Sequence, residues 1–275
     1  MSRAIDAAAA HLGWPEVEVT RLGGGCIHPA ARLSHGGEDA FLKWSDAADF
    51  QVEAAGLRAL AERGGLRIPE VLGVGEGWLL LEFLDAVRPS PDDHVALGRG
   101  LAELHRRVDA PPGFELDGWI GSLPQDNGVR RTWGTFWAEA RLRPRLEGAR
   151  PHLSPAARDA VERAIERTPE LLDGIDEMSL LHGDLWSGNH LFTADGPALI
   201  DPAVYRGHSE VDLAMMALFG GFRAQVVEAY DAVRPPEPGR RERRALYQLY
   251  PLLVHVELFG EGYATRTEAA ARSVA

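Results

Sequence analysis

Cysteine is almost absent from this 275-residue chain, which carries only Cys26. One thiol excludes an intramolecular disulfide and a cysteine-based zinc cluster. Long apolar runs are missing too. No stretch of about 18 apolar residues runs without a charge, so no membrane span is expected. The alanine-rich start, Ala4 to His11, is interrupted by Asp6 and reads as a helix instead of a signal peptide; a cytoplasmic location is expected. Basic side chains are in deficit, 29 against 41 acidic ones, for a net charge of −12. That balance argues against a nucleic-acid partner, which asks for a basic stripe, and is compatible with a cationic substrate. Repeats and low-complexity tracts are also lacking. What is present is 45% hydrophobic residues, enough for a real core on a chain long enough for two lobes.

The most informative stretch is Leu180-Leu181-His182-Gly183-Asp184-Leu185-Trp186-Ser187-Gly188-Asn189, followed by Ala198-Leu199-Ile200-Asp201-Pro202. Two apolar residues lead into a polar loop with Asp184, Asn189 follows five positions later, and a second apolar run delivers Asp201. Protein-kinase catalytic loops share this grammar. One carboxylate faces the attacking hydroxyl, while an amide oxygen and a second carboxylate reach the magnesium ions on the ATP phosphates. Each fragment alone is an ordinary turn or strand end. In this order they predict a phosphotransferase site.

Upstream, Val17 to Leu22, Ala31 to Ser34 and Ala40 to Trp44 alternate like strands. Gly23-Gly24-Gly25 breaks the first two apart. Bare amides in such a loop can lie close over phosphates, although a plain glycine hairpin reads the same. Lys43 sits among Phe41, Leu42 and Trp44, where an ammonium needs an anionic partner. Glu53, on the amphipathic stretch Phe50 to Leu60, can supply one, and a strand lysine held by a helix glutamate is how kinases aim a cation at phosphates. Ile68 to Gly75 and Gly77 to Leu84 add two strands, which completes a five-stranded lobe over residues 1–84. The backbone of Glu82, Phe83 and Leu84 is then the expected hinge against adenine.

Residues 85–275 read as a mainly helical lobe holding the Asp184 loop and the acceptor pocket. A helix runs from about Val95 to His105, and others near Trp133 to Leu146 and Pro155 to Leu172. Between them, Asp109 to Arg130 is a long loop of the kind that borders a functional site. Asp212, in the apolar helix Glu210 to Leu218, needs donors; the amides at His182 and Gly183 are the expected ones, making Asp212 and His182 a structural brace. Arg244 to Gly260 reads as a long helix kinked at Pro251. Trp186, Tyr247, Gln248 and His255 are candidates for the acceptor pocket. Cys26 adjoins the glycine loop, whose amide dipoles favour a thiolate, and is a candidate redox-sensitive thiol.

Gly23-Gly24-Gly25-Cys26-Ile27, Phe41-Leu42-Lys43, His182 to Asn189, Asp201 to Tyr205, Glu210 to Met215, Leu218 to Phe222 and Leu246 to Tyr250 together resemble the fructosamine kinase family. The resemblance runs from about Leu22 to Tyr263. It implies a bilobal α+β protein-kinase-like fold, with a five-stranded antiparallel N-lobe carrying a helix and a mainly helical C-lobe. It also implies ATP- and Mg2+-dependent phosphorylation of a ketosamine hydroxyl, usually the 3-hydroxyl, on a glycated amine that is free or on protein lysine. By the same resemblance Asp184 accepts the proton, Asn189 and Asp201 hold magnesium, Lys43 with Glu53 contacts phosphate, and residues 82–84 form the hinge. Two departures concern the sugar side: Glu257 stands where many relatives have asparagine, and Leu116-Asp117-Gly118-Trp119 differs from the usual aromatic-rich loop. The rival readings are an aminoglycoside- or choline-kinase-type phosphotransferase and a nucleotide-binding pseudokinase; the joint presence of Lys43, Asp184, Asn189 and Asp201 speaks against the second.

Overall fold

A computed structural model describes residues 2–23, 28–46 and 49–274. After helix α1 (Ser2–Leu12) come strands β1 (Glu18–Leu22), β2 (Ala30–His35) and β3 (Glu38–Trp44), helix α2 (Gln51–Arg63), and strands β4 (Val71–Gly75) and β5 (Trp78–Glu82). The five strands form one antiparallel sheet in the order β1-β2-β3-β5-β4. Successive side chains on a strand point to opposite faces, and this alternation sorts the lobe. Ala40 and Leu42 of β3 and Leu80 of β5 pack with Ala8 of α1 on one face. Phe41, Leu79 and Leu81 pack on the other with Ala54, Leu57 and Leu60 of α2. Lys43, two residues after Phe41, therefore falls on the α2 face. The alternation from Ile68 predicts an earlier start for β4; Pro69 has no N–H to give to a ladder, and pairing begins at Val71.

Helix α3 (Pro91–Leu104) begins four residues before the apolar periodicity predicts, because Ser90 and Asp93 form a reciprocal capping box and Pro91 fits the first turn. Strand β6 (Arg107–Val108) follows. Within the segment predicted as a long loop lies a hairpin, β7 (Gly118–Ile120) and β8 (Leu123–Gln125), closed by Gly121-Ser122. Next come α4 (Trp133–Phe136), a wider π turn over Trp137–Leu142 and α5 (Arg143–Ala149). Pro144 cannot donate back to the preceding turn, which accounts for the widening there.

Helix α6 (Pro155–Leu171) leads to β9 (Met178–Leu181), the central strand of a small sheet between β6 and β12 (Tyr205–Gly207). The hairpin β10 (His190–Thr193) and β11 (Gly196–Leu199) lies between them in sequence. Helices α7 (Glu210–Phe219), α8 (Ala224–Val233), α9 (Arg240–Phe259) and α10 (Ala264–Val274) complete the chain, and α9 runs on through Pro251. An aromatic core holds this lobe: Trp133, Phe136, Trp137, Tyr205, Tyr247 and Tyr250 are all buried. A second core is shared between the lobes, with Phe50 and Leu57 of the first packed in one cluster with Leu97, Leu101, Leu180 and Leu199 of the second. Among the described residues, no helix is long and apolar enough to cross a membrane.

Candidate active site

Strand β9 is buried at every position and delivers His182-Gly183-Asp184 to the cleft. Gly183 has φ 82° and so takes a left-handed turn that favours glycine; a Cβ there would also meet the Ala203 carbonyl at 2.0 Å. The β10–β11 hairpin then folds the chain back. His190 pairs with Leu199, and the Ile200 amide donates to the Asn189 carbonyl at 3.1 Å. Twelve residues of sequence separation are thereby closed, and Asn189 and Asp201 become neighbours. Asp201 adopts φ 51°, unusual for a residue with a side chain, and strain of this kind concentrates at functional sites.

Five of the predicted side chains meet here. Lys43 Nζ donates to Glu53 at 2.9 Å and to Asp201 at 2.6 Å. Burial alone would lower the lysine's pKa, but the two carboxylates more than offset it and hold the ammonium above its ordinary value. Lys43 is the only lysine among the 29 basic side chains. Every other cation is the fork-shaped arginine, so a compact ammonium is retained only at this crowded position. Asn189 Nδ2 donates to the Asp184 carboxylate at 3.0 Å and to its carbonyl at 2.9 Å. Burial, with the charges of Asp201 and Asp212 nearby, pushes the Asp184 carboxyl up to about 7 against the effect of that one hydrogen bond.

Behind the loop, Asp212 is fully buried and accepts from the amides of His182 at 2.8 Å and Gly183 at 2.9 Å. His105 Nε2 donates to it at 3.0 Å, and His105 Nδ1 pairs with the Tyr230 hydroxyl at 3.1 Å. Burial works to raise the Asp212 pKa, but these donors hold it below the usual carboxylate range. His182 donates through Nε2 to the Ile200 carbonyl at 2.9 Å and accepts the Asp184 amide at Nδ1. Burial lowers its pKa, so it stays neutral. Its ring thus ties the two halves of the site together.

Lys43, Glu53, Asp184, Asn189 and Asp201 share one cavity of about 360 Å³. The Gly118–Ser122 end of the β7–β8 hairpin and Trp186 form other parts of its wall. His28 also lines it and sets its ring edge-on to Phe50 at 5.4 Å; its place three residues after Gly25 is the one signal of it in the sequence. Trp186 is the one acceptor-pocket candidate in this wall. The other three are turned elsewhere. Tyr247 is buried, its hydroxyl accepting from Trp133 Nε1 at 3.0 Å and pairing with His208 at 2.8 Å. Gln248 donates to the Ala214 carbonyl of α7, and His255 bonds the Pro251 carbonyl. Tyr247 and His255 border only a crevice of about 20 Å³ beside Asp184.

At the expected hinge, the Glu82 amide donates to the Glu70 carbonyl at 2.9 Å and its carboxylate pairs with Arg67. That amide is therefore committed within the sheet, and residues 82–84 lie outside the cavity wall. Gly23 is exposed at the end of β1. Gly24, Gly25 and the redox candidate Cys26 lie outside the described residues.

The chain is similar to known proteins over nearly its whole length. A family model described as fructosamine kinase matches residues 3–274. A probable ketoamine kinase of Synechocystis is 38% identical over 257 residues, covering 90% of this chain and 86% of that one. A chloroplastic protein-ribulosamine 3-kinase of Oryza sativa subsp. indica is 37% identical over 258 residues, covering 89% and 75%. The crystal structure described as that of a fructosamine-3-kinase from Thermobifida fusca superposes with a TM-score of 0.89 at 37% identity, over 97% of both chains.

Proposed function

The chain belongs to the fructosamine kinase family and is an ATP-dependent kinase, and from that premise we propose that it phosphorylates the 3-hydroxyl of ketosamines, namely ribulosamine and fructosamine adducts of lysine. The observation that carries the phosphotransfer is the convergence of Lys43, Asp184, Asn189 and Asp201 on one cavity, and the relatives described as ketoamine and ribulosamine kinases support the ketosamine acceptor. Residues 1–84 serve as the nucleotide-binding lobe and residues 85–275 as the lobe that presents the acceptor.

Asp184 orients the sugar hydroxyl and accepts its proton as the γ-phosphoryl group leaves ATP through a loose transition state. Asn189 already donates to this carboxylate, which fixes its angle. Lys43, aimed by Glu53 and Asp201, neutralises charge on the phosphates. The main-chain segment 82–84, just beyond the wall of the Asp184 cavity, is assigned as the adenine hinge, with the Glu82 amide already bonded to the Glu70 carbonyl. Gly23, exposed at the end of β1, offers a backbone amide toward the phosphates.

The donors present fit magnesium. Asn189 and Asp201 offer oxygen ligands, and the Asn189 NH2 group is turned to Asp184, so its carbonyl oxygen faces away from that carboxylate. One carboxylate and one amide oxygen, with phosphate oxygens and water completing the shell, suit an ion that rarely takes an all-protein cage. When bound, the metal supplies charge neutralisation on the phosphates.

An acceptor panel tests the proposal. With ATP and magnesium, phosphate transfer is expected to ribulose-lysine and fructose-lysine and not to kanamycin, and NMR of the product is expected to show the phosphate on the sugar 3-oxygen. Transfer to kanamycin with none to either ketosamine replaces this reading with the aminoglycoside one.

A further inference from the structure

Resting on the ketosamine reading, we propose that Trp119 is a specificity-determining residue that reads the amine-bearing part of the acceptor: its indole face receives the protonated nitrogen and aliphatic stem of a glycated lysine side chain as it leaves the cavity.

Trp119 is unusual among the tryptophans. Trp133 and Trp137 are at most 1% exposed in the aromatic core, whereas Trp119 is 43% exposed while lining the same cavity as Asp184. Large apolar side chains left in water at the rim of a site mark recognition surfaces. Three of the eight exposed large hydrophobics among the described residues, Leu116, Trp119 and Val129, belong to this one segment. A mobile loop would explain such exposure without function, but this hairpin is anchored from behind. Gln125 is buried, donates to the Ala203 carbonyl at 3.3 Å and accepts the Tyr250 hydroxyl at 2.8 Å. Asn127 is also buried; it donates to the Leu116 carbonyl at 3.0 Å and accepts from Arg141 at 2.7 Å. A ring held on a rigid frame loses little freedom on binding.

Depth in the cavity decides which part of the acceptor the ring meets. A sugar hydroxyl that reaches Asp184 puts the sugar against the inner wall beside Asn189, itself buried, and Trp186. What projects toward the exposed rim is the substituent on the sugar's nitrogen. In a glycated lysine that nitrogen is a secondary amine, cationic at neutral pH, on a chain of methylenes. An indole face suits both parts, by cation–π attraction and by apolar contact. The charges lining the cavity agree: four carboxylates, Asp49, Glu53, Asp184 and Asp201, stand in its wall against the one ammonium of Lys43, an acidic surround that favours a cationic acceptor.

The test compares two acceptors carrying the same sugar, one on the ε-amine of lysine and one on the α-amine of glycine, which replaces the stem by a carboxylate. In Trp119→Ala, kcat/KM for the lysine adduct is expected to fall about tenfold further than for the glycine adduct, chiefly through KM, with Trp119→Phe in between. The KM for ATP reports on the other side of the site and is expected to move less than about twofold. Equal losses on both adducts, or no loss on either, overturn the assignment to Trp119 while leaving the ketosamine reading intact. A wild-type protein that phosphorylates neither adduct overturns both. Thermal melts of the two variants, expected to match wild type, separate lost recognition from lost folding.

Discussion

The two faces of the Asp184 loop treat the same side chain in opposite ways. At the back, Asp212 is enclosed by protein and satisfied by two backbone amides and the His105 ring, and its pKa is held down. At the front, Asp184 has one side-chain donor among the described residues, Asn189, with two other carboxylates nearby, and its pKa is pushed up to about 7. Asp184 is half-buried where Asp212 is fully enclosed, and the number of donors differs as well. A carboxylate meant to hold a loop is given several donors, here three. One meant to take a proton is left with spare accepting capacity, and a group poised near neutrality is suited to general-base work. The rigid back is what allows the unsatisfied front to persist, since a destabilised site must be offset elsewhere in the fold.

The largest expected effect is at the front. Asp184→Ala removes the proton acceptor and is expected to lower kcat by at least about a thousandfold, while a thermal melt shows no loss of stability. Near-wild-type turnover would end the assignment of Asp184 as the base. At the back the pattern is expected to invert. Asp212→Ala strands two buried amides and the His105 donor, which costs about 3 kcal/mol, or a fall of about 6–12 °C in Tm for a chain of this length. A melting temperature unchanged by Asp212→Ala would break the comparison, because the loop would then not depend on its rear anchor.

Much of this contrast is legible in the sequence, and the reasons are local. Alternation in Phe41-Leu42-Lys43 is enough to put Lys43 on the helix-facing side of its strand, where Glu53 waits. An aspartate in the apolar helix Glu210–Phe219 must find donors, and the turn at His182 supplies them. Composition holds a further clue in the lone lysine among 29 basic side chains. The acceptor side is less legible because its contacts are distant in sequence. Whether the Tyr247 hydroxyl faces a pocket or the core depends on Trp133 and His208, 114 and 39 residues away. The β7–β8 hairpin has strands of three residues each, too short for periodicity to register. What fixes it in place, Gln125 on Ala203 and Arg141 on Asn127, is purely tertiary.

The smallest expected effect is also the sharpest probe of the comparison. In the folded protein Asp184 has its pKa pushed up from 3.8 to about 7, so the folded state binds the proton more tightly than the unfolded chain does. Stability contributed by this group is therefore greatest below the unfolded value and falls as pH rises toward 7, above which the full cost of a half-buried, under-satisfied charge is present. Asp184→Asn keeps the volume and the hydrogen bonding to Asn189 and removes that charge. Scanning calorimetry without nucleotide or magnesium is expected to show the variant melting above wild type at pH 8, by about 3 °C once solvent access to the half-buried group is discounted, with the gap closing by pH 4. An inactive variant that is more stable only where the wild-type carboxylate is ionised would identify the front of the loop as the place where stability is given up for chemistry. A gap that does not change with pH would mean that the front aspartate is as well satisfied as the rear one, and the distinction between the two faces would fail.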